Sequence, residues 1–149
     1  MNTTFLRHFL PATLGLALLT GCNTLVGIAP INLTQHDWAL VEATDADGHL
    51  DQALLDGNRA PIQLTFKDDR LGVSNACNHM GGDYKLKNGR LKVGHMIQTM
   101  MACEPELMAR ESAIKTRLQQ PLRVRIDAET SRLHMLNDAG VMVFEPVQP

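Results

Sequence analysis

The chain has 149 residues, of which 44% are hydrophobic and 4% aromatic, and its formal net charge at pH 7 is −2. This length suits one domain with a single hydrophobic core. The near-neutral charge and the single Trp and single Tyr argue against nucleic-acid binding, because they provide neither a basic face nor a series of stacking platforms.

The N-terminus resembles a bacterial lipoprotein signal peptide. Arg7 precedes the apolar run Phe9 to Leu19, which is too short to span a bilayer as a stable helix. The following Leu19-Thr20-Gly21-Cys22 resembles a lipobox, in which the Cys is lipidated and becomes the first residue of the mature protein. We therefore predict a signal peptide over residues 1–21 and a lipid on Cys22. The alternative is an ordinary secretory signal that is cut near the same place.

Residues 22–33 are predicted to form a tether, and residues 34–149 the folded domain. The tether segment contains Pro30 and shows no hydrophobic periodicity. Asn23, rather than Asp, follows the predicted lipidated Cys, which favours the outer membrane and a domain that faces the periplasm. The membrane is thus the one partner that the sequence specifies through its anchor, and any protein or small-molecule partner stays unknown.

Alternating apolar residues predict several strands in the first half of the domain. In Ile62 to Phe66, for example, the three apolar side chains face one way and the two polar ones the other. Asn88-Gly89 is a strong signal for a hairpin between the last two of these strands. The predicted strands are Asp37–Ala43, Ile62–Phe66, Leu71–Asn75, Asp83–Leu86 and Arg90–Val93, with turns at residues 45–48 and 58–61.

One helix is predicted after these strands, from about Glu104 to Gln119. Pro105 suits the first helical position, Glu106 suits the positive end of the helix dipole, and Pro121 ends the helix. The sequence thus predicts an α+β domain with a mostly antiparallel, strongly curved sheet of about seven to eight strands and one helix packed on it. The last predicted strands are Leu122–Ile126, Arg132–Leu136 and Val141–Phe144.

Two segments, Ser74–Tyr84 and Thr99–Glu111, resemble the META domain, the HslJ-like family of small bacterial envelope proteins. The resemblance spans about Thr34 to Glu145 and implies a compact β-rich domain with a helix. It also implies an association with heat response, antibiotic tolerance and envelope processes, but no defined molecular activity. Ala76 departs from the Gly that many members have before the Cys. The motif residues are Cys77-Asn78, Gly81 or Gly82 before Tyr84, Thr99, Met101-Ala102-Cys103 and Glu111.

The cysteines allow two interpretations. With a lipid on Cys22, only Cys77 and Cys103 remain, and two thiols in an oxidising compartment usually form a disulfide. The alternative is a soft-metal module, since sulfur and imidazole ligands suit Cu(I) or Zn²⁺. Because Met commonly fills gaps in a core, we favour the disulfide and predict no metal or cofactor. The candidate ligands are Cys77, His79, Met80, His95, Met96, Met100, Met101 and Cys103.

Glu111 lies on the apolar stripe of the predicted helix, between Leu107 and Leu118. A buried carboxylate needs hydrogen-bond partners. We expect Glu111 to bind backbone N–H groups of Thr99 to Ala102 or a nearby Arg, with a general acid–base role as the alternative.

The sequence lacks the residue constellations of known catalytic classes. No Ser lies in a nucleophile motif, and no His pair has the spacing of a metalloprotease. We therefore predict a protein that is not an enzyme and has a binding or structural role in envelope stress or antibiotic tolerance. A soft-metal module and a small-ligand carrier are the alternatives.

Overall fold

The computed structural model describes residues 33–147, so the predicted signal peptide, Cys22 and most of the predicted tether lie outside the described residues. Leu33, which was predicted to end the tether, is fully buried, and the Trp38 indole N–H donates to its carbonyl oxygen at 2.9 Å. Leu33 therefore packs as part of the folded domain. Within residues 33–147, no helix has the length and apolar character that crossing a membrane requires.

The described residues form nine strands and one helix, close to the predicted elements. The short strand β6 was not predicted, because two residues are too few to show alternation. The strands are β1 (Trp38–Thr44), β2 (Gln63–Lys67), β3 (Arg70–Ser74), β4 (Met80–Lys87), β5 (Arg90–Val93), β6 (Ile97–Gln98), β7 (Leu122–Ile126), β8 (Leu133–Asn137) and β9 (Gly140–Pro146), and the helix is α1 (Pro105–Gln119).

Eight of these strands close into an antiparallel barrel. Their order is β3-β2-β1-β9-β8-β7-β5-β4, and the ring closes because β3 also pairs with β4. β6 pairs with the start of β4, where Met80 lies opposite Gln98. The mostly antiparallel sheet with one helix is as predicted, and the closed barrel is more specific than the curved sheet that the sequence indicated. Closure pairs strand edges that an open sheet would leave free.

Two-residue turns set the register of three hairpins. Asn88 and Gly89 have φ angles of 51° and 69°, so the predicted Asn-Gly turn has the left-handed backbone that matches the twist of paired strands. Asp68 and Asp69 join β2 to β3 with φ angles of 49° and 59°, although neither is Gly or Asn. The third turn joins β8 to β9 between Asn137 and Gly140.

A bulge interrupts the alternation of β1. Trp38 and Leu40 point into the barrel, and the register then shifts between Leu40 and Glu42. Val41 and Glu42 are therefore both exposed, and Ala43 is the next buried residue. The outward position of Val41 places an apolar side chain on the surface beside the segment that follows β1.

The helix lies across one mouth of the barrel. Arg117 donates from Nη2 to the Thr44 carbonyl oxygen at 2.7 Å and from Nη1 to the Val141 carbonyl oxygen at 3.4 Å, at the end of β1 and the start of β9. Arg110 donates to the Ala60 carbonyl oxygen at 3.1 Å, just before β2. The inner face of the helix completes the barrel core through Ile114 and Leu118.

Candidate functional site

The two motif segments meet at the capped mouth, around a disulfide between Cys77 and Cys103. The two Cα atoms lie 5.8 Å apart, which suits a disulfide. The bond links the connection between β3 and β4 to the residues just before the helix. The predicted disulfide is thus present, and the soft-metal alternative loses the two thiolates on which it depended.

Asn78 lies at the centre of this cluster and is 5% exposed. Its Oδ1 accepts hydrogen bonds from the Met101 backbone N–H at 2.8 Å and from the Thr99 hydroxyl at 2.9 Å. Its Nδ2 donates to Glu111 Oε1 at 3.3 Å. One amide side chain therefore connects the helix to residues 97–103, which we call the motif loop.

Glu111 is buried, as its helical phase predicts, but its partners differ from those expected. Its Oε2 accepts the Asn78 backbone N–H at 2.5 Å, and its Oε1 accepts Gln98 Nε2 at 3.0 Å. Lys115 in turn donates to Gln98 Oε1 at 2.5 Å. The expected partner, the backbone of residues 99–102, is held instead by Asn78, whose side chain lies between the carboxylate and the loop.

Two adjacent glycines of β4 allow close backbone contacts. A Cβ atom on Gly81 would lie 3.0 Å from the Leu71 carbonyl oxygen, and a Cβ on Gly82 would lie 2.9 Å from the His95 carbonyl oxygen. Either contact is tighter than a side chain normally tolerates. These positions therefore favour Gly for steric reasons, at the point where β4 passes between β3 and the motif loop.

Tyr84, the last residue of the first motif segment, belongs to the barrel core rather than to the disulfide cluster. Its ring packs edge-on against Phe66, with the ring centroids 5.1 Å apart. Burial raises the pKa of Tyr84, and the charge of Asp69 adds a smaller rise. The remaining motif residue, Ala102, is exposed beside the disulfide.

Three large apolar side chains of the motif loop are exposed, alongside the polar residues Gln98 and Thr99. Ile97 is 63% exposed, Met100 96% and Met101 56%. By contrast, Met80 and Met96 are buried in the core, as the packing interpretation predicts, whereas that interpretation is wrong for Met100 and Met101. Large exposed apolar side chains that follow one another so closely are typical of a surface that contacts a partner.

One group of side chains within residues 33–147 has the spacing of a metal site. Ligand atoms of Asp45, Asp47 and His49 lie within 4.8 Å of one another in the turn after β1. Asp45 Oδ1, however, accepts the backbone N–H groups of His49 and Asp47, both at 2.9 Å. Both hydrogen bonds lower the pKa of Asp45, and the bond from His49 has the larger effect. The group is thus accounted for as the hydrogen-bonded turn that the sequence predicts at residues 45–48.

A partly buried histidine lies on the barrel wall. His134 of β8 is next to Arg125 of β7, with Nδ1 and Nη2 3.2 Å apart. Burial, and then the positive charge of Arg125, lower the pKa of His134. The neutral imidazole is therefore the form that suits the folded domain.

A cleft beside the helix was not predicted. Arg110 is 2% exposed and lines this cleft together with Asp56 and Arg59. Burial lowers the pKa of Arg110, while the charge of Asp56 acts in the opposite direction. The signal for a buried Arg110 was in the sequence, since Arg110 lies four residues before the apolar Ile114 and so shares its side of the helix.

The chain resembles known proteins over most of its length. The family model described as META domain matches residues 31–148. Heat shock protein HslJ of Escherichia coli strain K12 is 24% identical over 114 residues, which cover 74% of this chain and 76% of that protein.

Two solved structures share the fold. An NMR structure of a protein from Burkholderia xenovorans aligns with a TM-score of 0.65 and 24% identity, over 97% of this chain and all of that one. A second NMR structure aligns with a TM-score of 0.61 and 22% identity, over 80% of this chain and 95% of the other. At such identities the likeness concerns the fold alone.

Proposed function

Because this chain belongs to the META domain family, we propose that it is a lipid-anchored envelope protein that binds a protein partner under heat or antibiotic stress and is not an enzyme. The name of the similar heat shock protein HslJ supports the stress component of this proposal. The lipobox that ends at Cys22 supports an anchor in the envelope, with outer-membrane placement favoured by Asn23.

The observation that carries the proposal is the motif loop, which is held rigidly on its inner side and exposes three large apolar side chains on its outer side. Asn78 and Glu111 bind the loop through Met101 and Gln98, and the disulfide fixes its end at Cys103. A rigid loop loses little conformational entropy when it binds.

The exposed side chains suit a protein partner. Met100 and Met101 are flexible and polarizable, so they adapt to different apolar surfaces, and Ile97 extends the same loop. The hydrogen bonding of Glu111 supports a role that is not catalytic. Both of its oxygens already accept hydrogen bonds from Asn78 and Gln98, so the carboxylate is engaged in holding the loop.

Site-specific photo-crosslinking in intact cells tests the partner directly. A photoreactive residue at position 100 should form a discrete cross-linked species that increases after heat shock. The matched control is position 108, because Met108 is also about half exposed but lies on the helix. Equal cross-linking from both positions would contradict a partner at the motif loop.

Complementation tests the role in stress. In a strain that lacks the gene, Met100→Ser/Met101→Ser should restore heat survival poorly, whereas Met108→Ser should restore it fully. Mass spectrometry of the mature N-terminus tests the anchor, and an unmodified N-terminus at another residue would exclude lipidation at Cys22. Full survival with the double variant would refute the binding role that we assign to the loop.

A further inference from the structure

Arg110 is a buried cation with incomplete hydrogen bonding. Its Nη2 donates to the Ala60 carbonyl oxygen at 3.1 Å, whereas Nε and Nη1 have no partner among residues 33–147. A buried N–H without an acceptor is costly, and a buried charge without a counter-charge is more so. Both Nε and Nη1 are closed to solvent, so an anionic ligand would reach them only after a neighbouring side chain moved, and it would then relieve both costs at once.

The acids near Arg110 supply only part of that counter-charge, because Asp56 acts on it through its charge without forming an ion pair. Asp56 Oδ2 accepts Arg59 Nε at 2.9 Å, and its Oδ1 accepts the Asn58 backbone N–H at 3.0 Å. Arg59 also forms an ion pair with Glu104. The local acids are thus bonded to Arg59, and Arg110 makes no ion pair within the described part of the chain.

Two surface depressions meet at Arg110. One, of about 540 Å³, lies between the helix and the loop that precedes β2. The other, of about 330 Å³, has an apolar wall that includes Leu40, Val41 and Pro61. Each volume lies within the range of small-molecule sites, roughly 300–1,000 Å³. We call the two depressions together the Arg110 cleft.

The charges and walls of this cleft define a ligand class. Guanidinium groups bind carboxylates with matching geometry. Asp56 and Glu106 line the polar part of the cleft and oppose the binding of any anion, a dianion more strongly than a monoanion. The apolar wall would contact a hydrocarbon or aromatic body. We infer that the Arg110 cleft binds the carboxylate of an amphipathic monoanion, with the carboxylate on Arg110 and the apolar body against Val41 and Pro61.

Binding can be measured with the mature lipidated protein in nanodiscs and with phenylacetate as the probe ligand. Saturable binding should appear by ligand-observed NMR. In protein-observed spectra, the same binding should shift the Arg110 Nε–H resonance. The neutral isostere phenylacetamide should bind at least tenfold more weakly. Phenyl phosphate, which carries a second charge, should also bind more weakly, and tighter binding of this dianion would overturn the assignment of a monoanion.

Variants separate the site from the fold. Arg110→Met should weaken phenylacetate binding at least tenfold without loss of stability, whereas Arg70→Met, at an exposed arginine, should leave it within twofold. Val41→Asp should weaken binding at least fivefold and Val41→Asn much less, because only the former adds a negative charge. Unchanged binding in both Arg110→Met and Val41→Asp would overturn the proposal, as would the absence of saturable binding up to 10 mM.

Competition identifies the source of the carboxylate. The competitor is a tripeptide with an apolar C-terminal residue and a free carboxylate. If this peptide displaces phenylacetate and binds more tightly than phenylacetate does, the result indicates a protein C-terminus as the ligand. If this peptide binds no better than its amidated form while phenylacetate binds, the ligand is a free small acid. Binding to the Arg110 cleft is measured without cells and with a small-molecule probe, so its outcome is independent of the photo-crosslinking result at Met100.

Discussion

Replacing Glu111 by Ala should destabilise the domain substantially, because the buried Asn78 backbone N–H would lose its acceptor. That hydrogen bond is 2.5 Å long, and a second one from Gln98 to the same carboxylate is 3.0 Å long. An unsatisfied buried donor costs about 1–3 kcal/mol, and the loss of two hydrogen bonds to one side chain lies at the upper end of this range. We expect the free energy of unfolding to fall by about 2–3 kcal/mol, and Tm by roughly 8–15 °C.

Urea denaturation of the oxidised protein, with Glu106→Ala as the control, measures this loss. Glu106 is exposed in the first turn of the same helix, so its loss should cost under about 1 kcal/mol through the helix dipole. Glu111→Gln keeps one acceptor oxygen for the Asn78 N–H and should cost about 1 kcal/mol. Equal midpoints for Glu111→Ala and Glu106→Ala would refute the assignment of Glu111 as the residue that holds the motif loop.

Three further predictions concern the disulfide, a turn and a histidine. Cys77→Ser/Cys103→Ser should lower the free energy of unfolding by about 3–4 kcal/mol in chemical denaturation, because the chain between the two residues is no longer closed into a loop in the unfolded state. Replacing Asp68-Asp69 by Asn-Gly should raise the thermal midpoint, because both positions have positive φ. The gain in the free energy of unfolding should be about 1 kcal/mol or less, and an unchanged or lower midpoint would contradict this. Because the pKa of His134 is lower in the folded state, the unfolded state binds a proton below pH 6.5 more readily than the folded state does. The stability present above pH 6.5 should therefore fall as pH drops through the folded-state pKa. Urea midpoints between pH 7 and 5 should therefore fall less in His134→Gln, and equal slopes would refute this source of acid sensitivity.

The alternation of apolar residues was sufficient to find nearly all strands, because a half-buried strand repeats every two residues. It did not reveal barrel closure, which depends on the pairing of β1 with β9 and of β5 with β7. Such pairings between distant segments leave no local pattern. The bulge at Val41 shows the same limit, since a register shift in β1 is visible only against its partner β9.

The candidate sites differ in how far the sequence revealed them. The disulfide followed from the number of cysteines and the predicted compartment, and the burial of Glu111 followed from its helical phase. The actual partners of Glu111 did not, because Asn78 reaches it from 33 residues away in the chain. The cleft at Arg110 was missed because its walls come from three separate segments that only the fold brings together.

The two ends of β1 distinguish the two mouths of the barrel. Trp38 and Thr44 lie at opposite mouths of the barrel, roughly 20 Å apart at the usual rise per residue. The described chain enters the barrel at Leu33, beside Trp38, whereas the helix covers the mouth at Thr44. The motif loop and the Arg110 cleft therefore lie toward the mouth that is farther from this entry point.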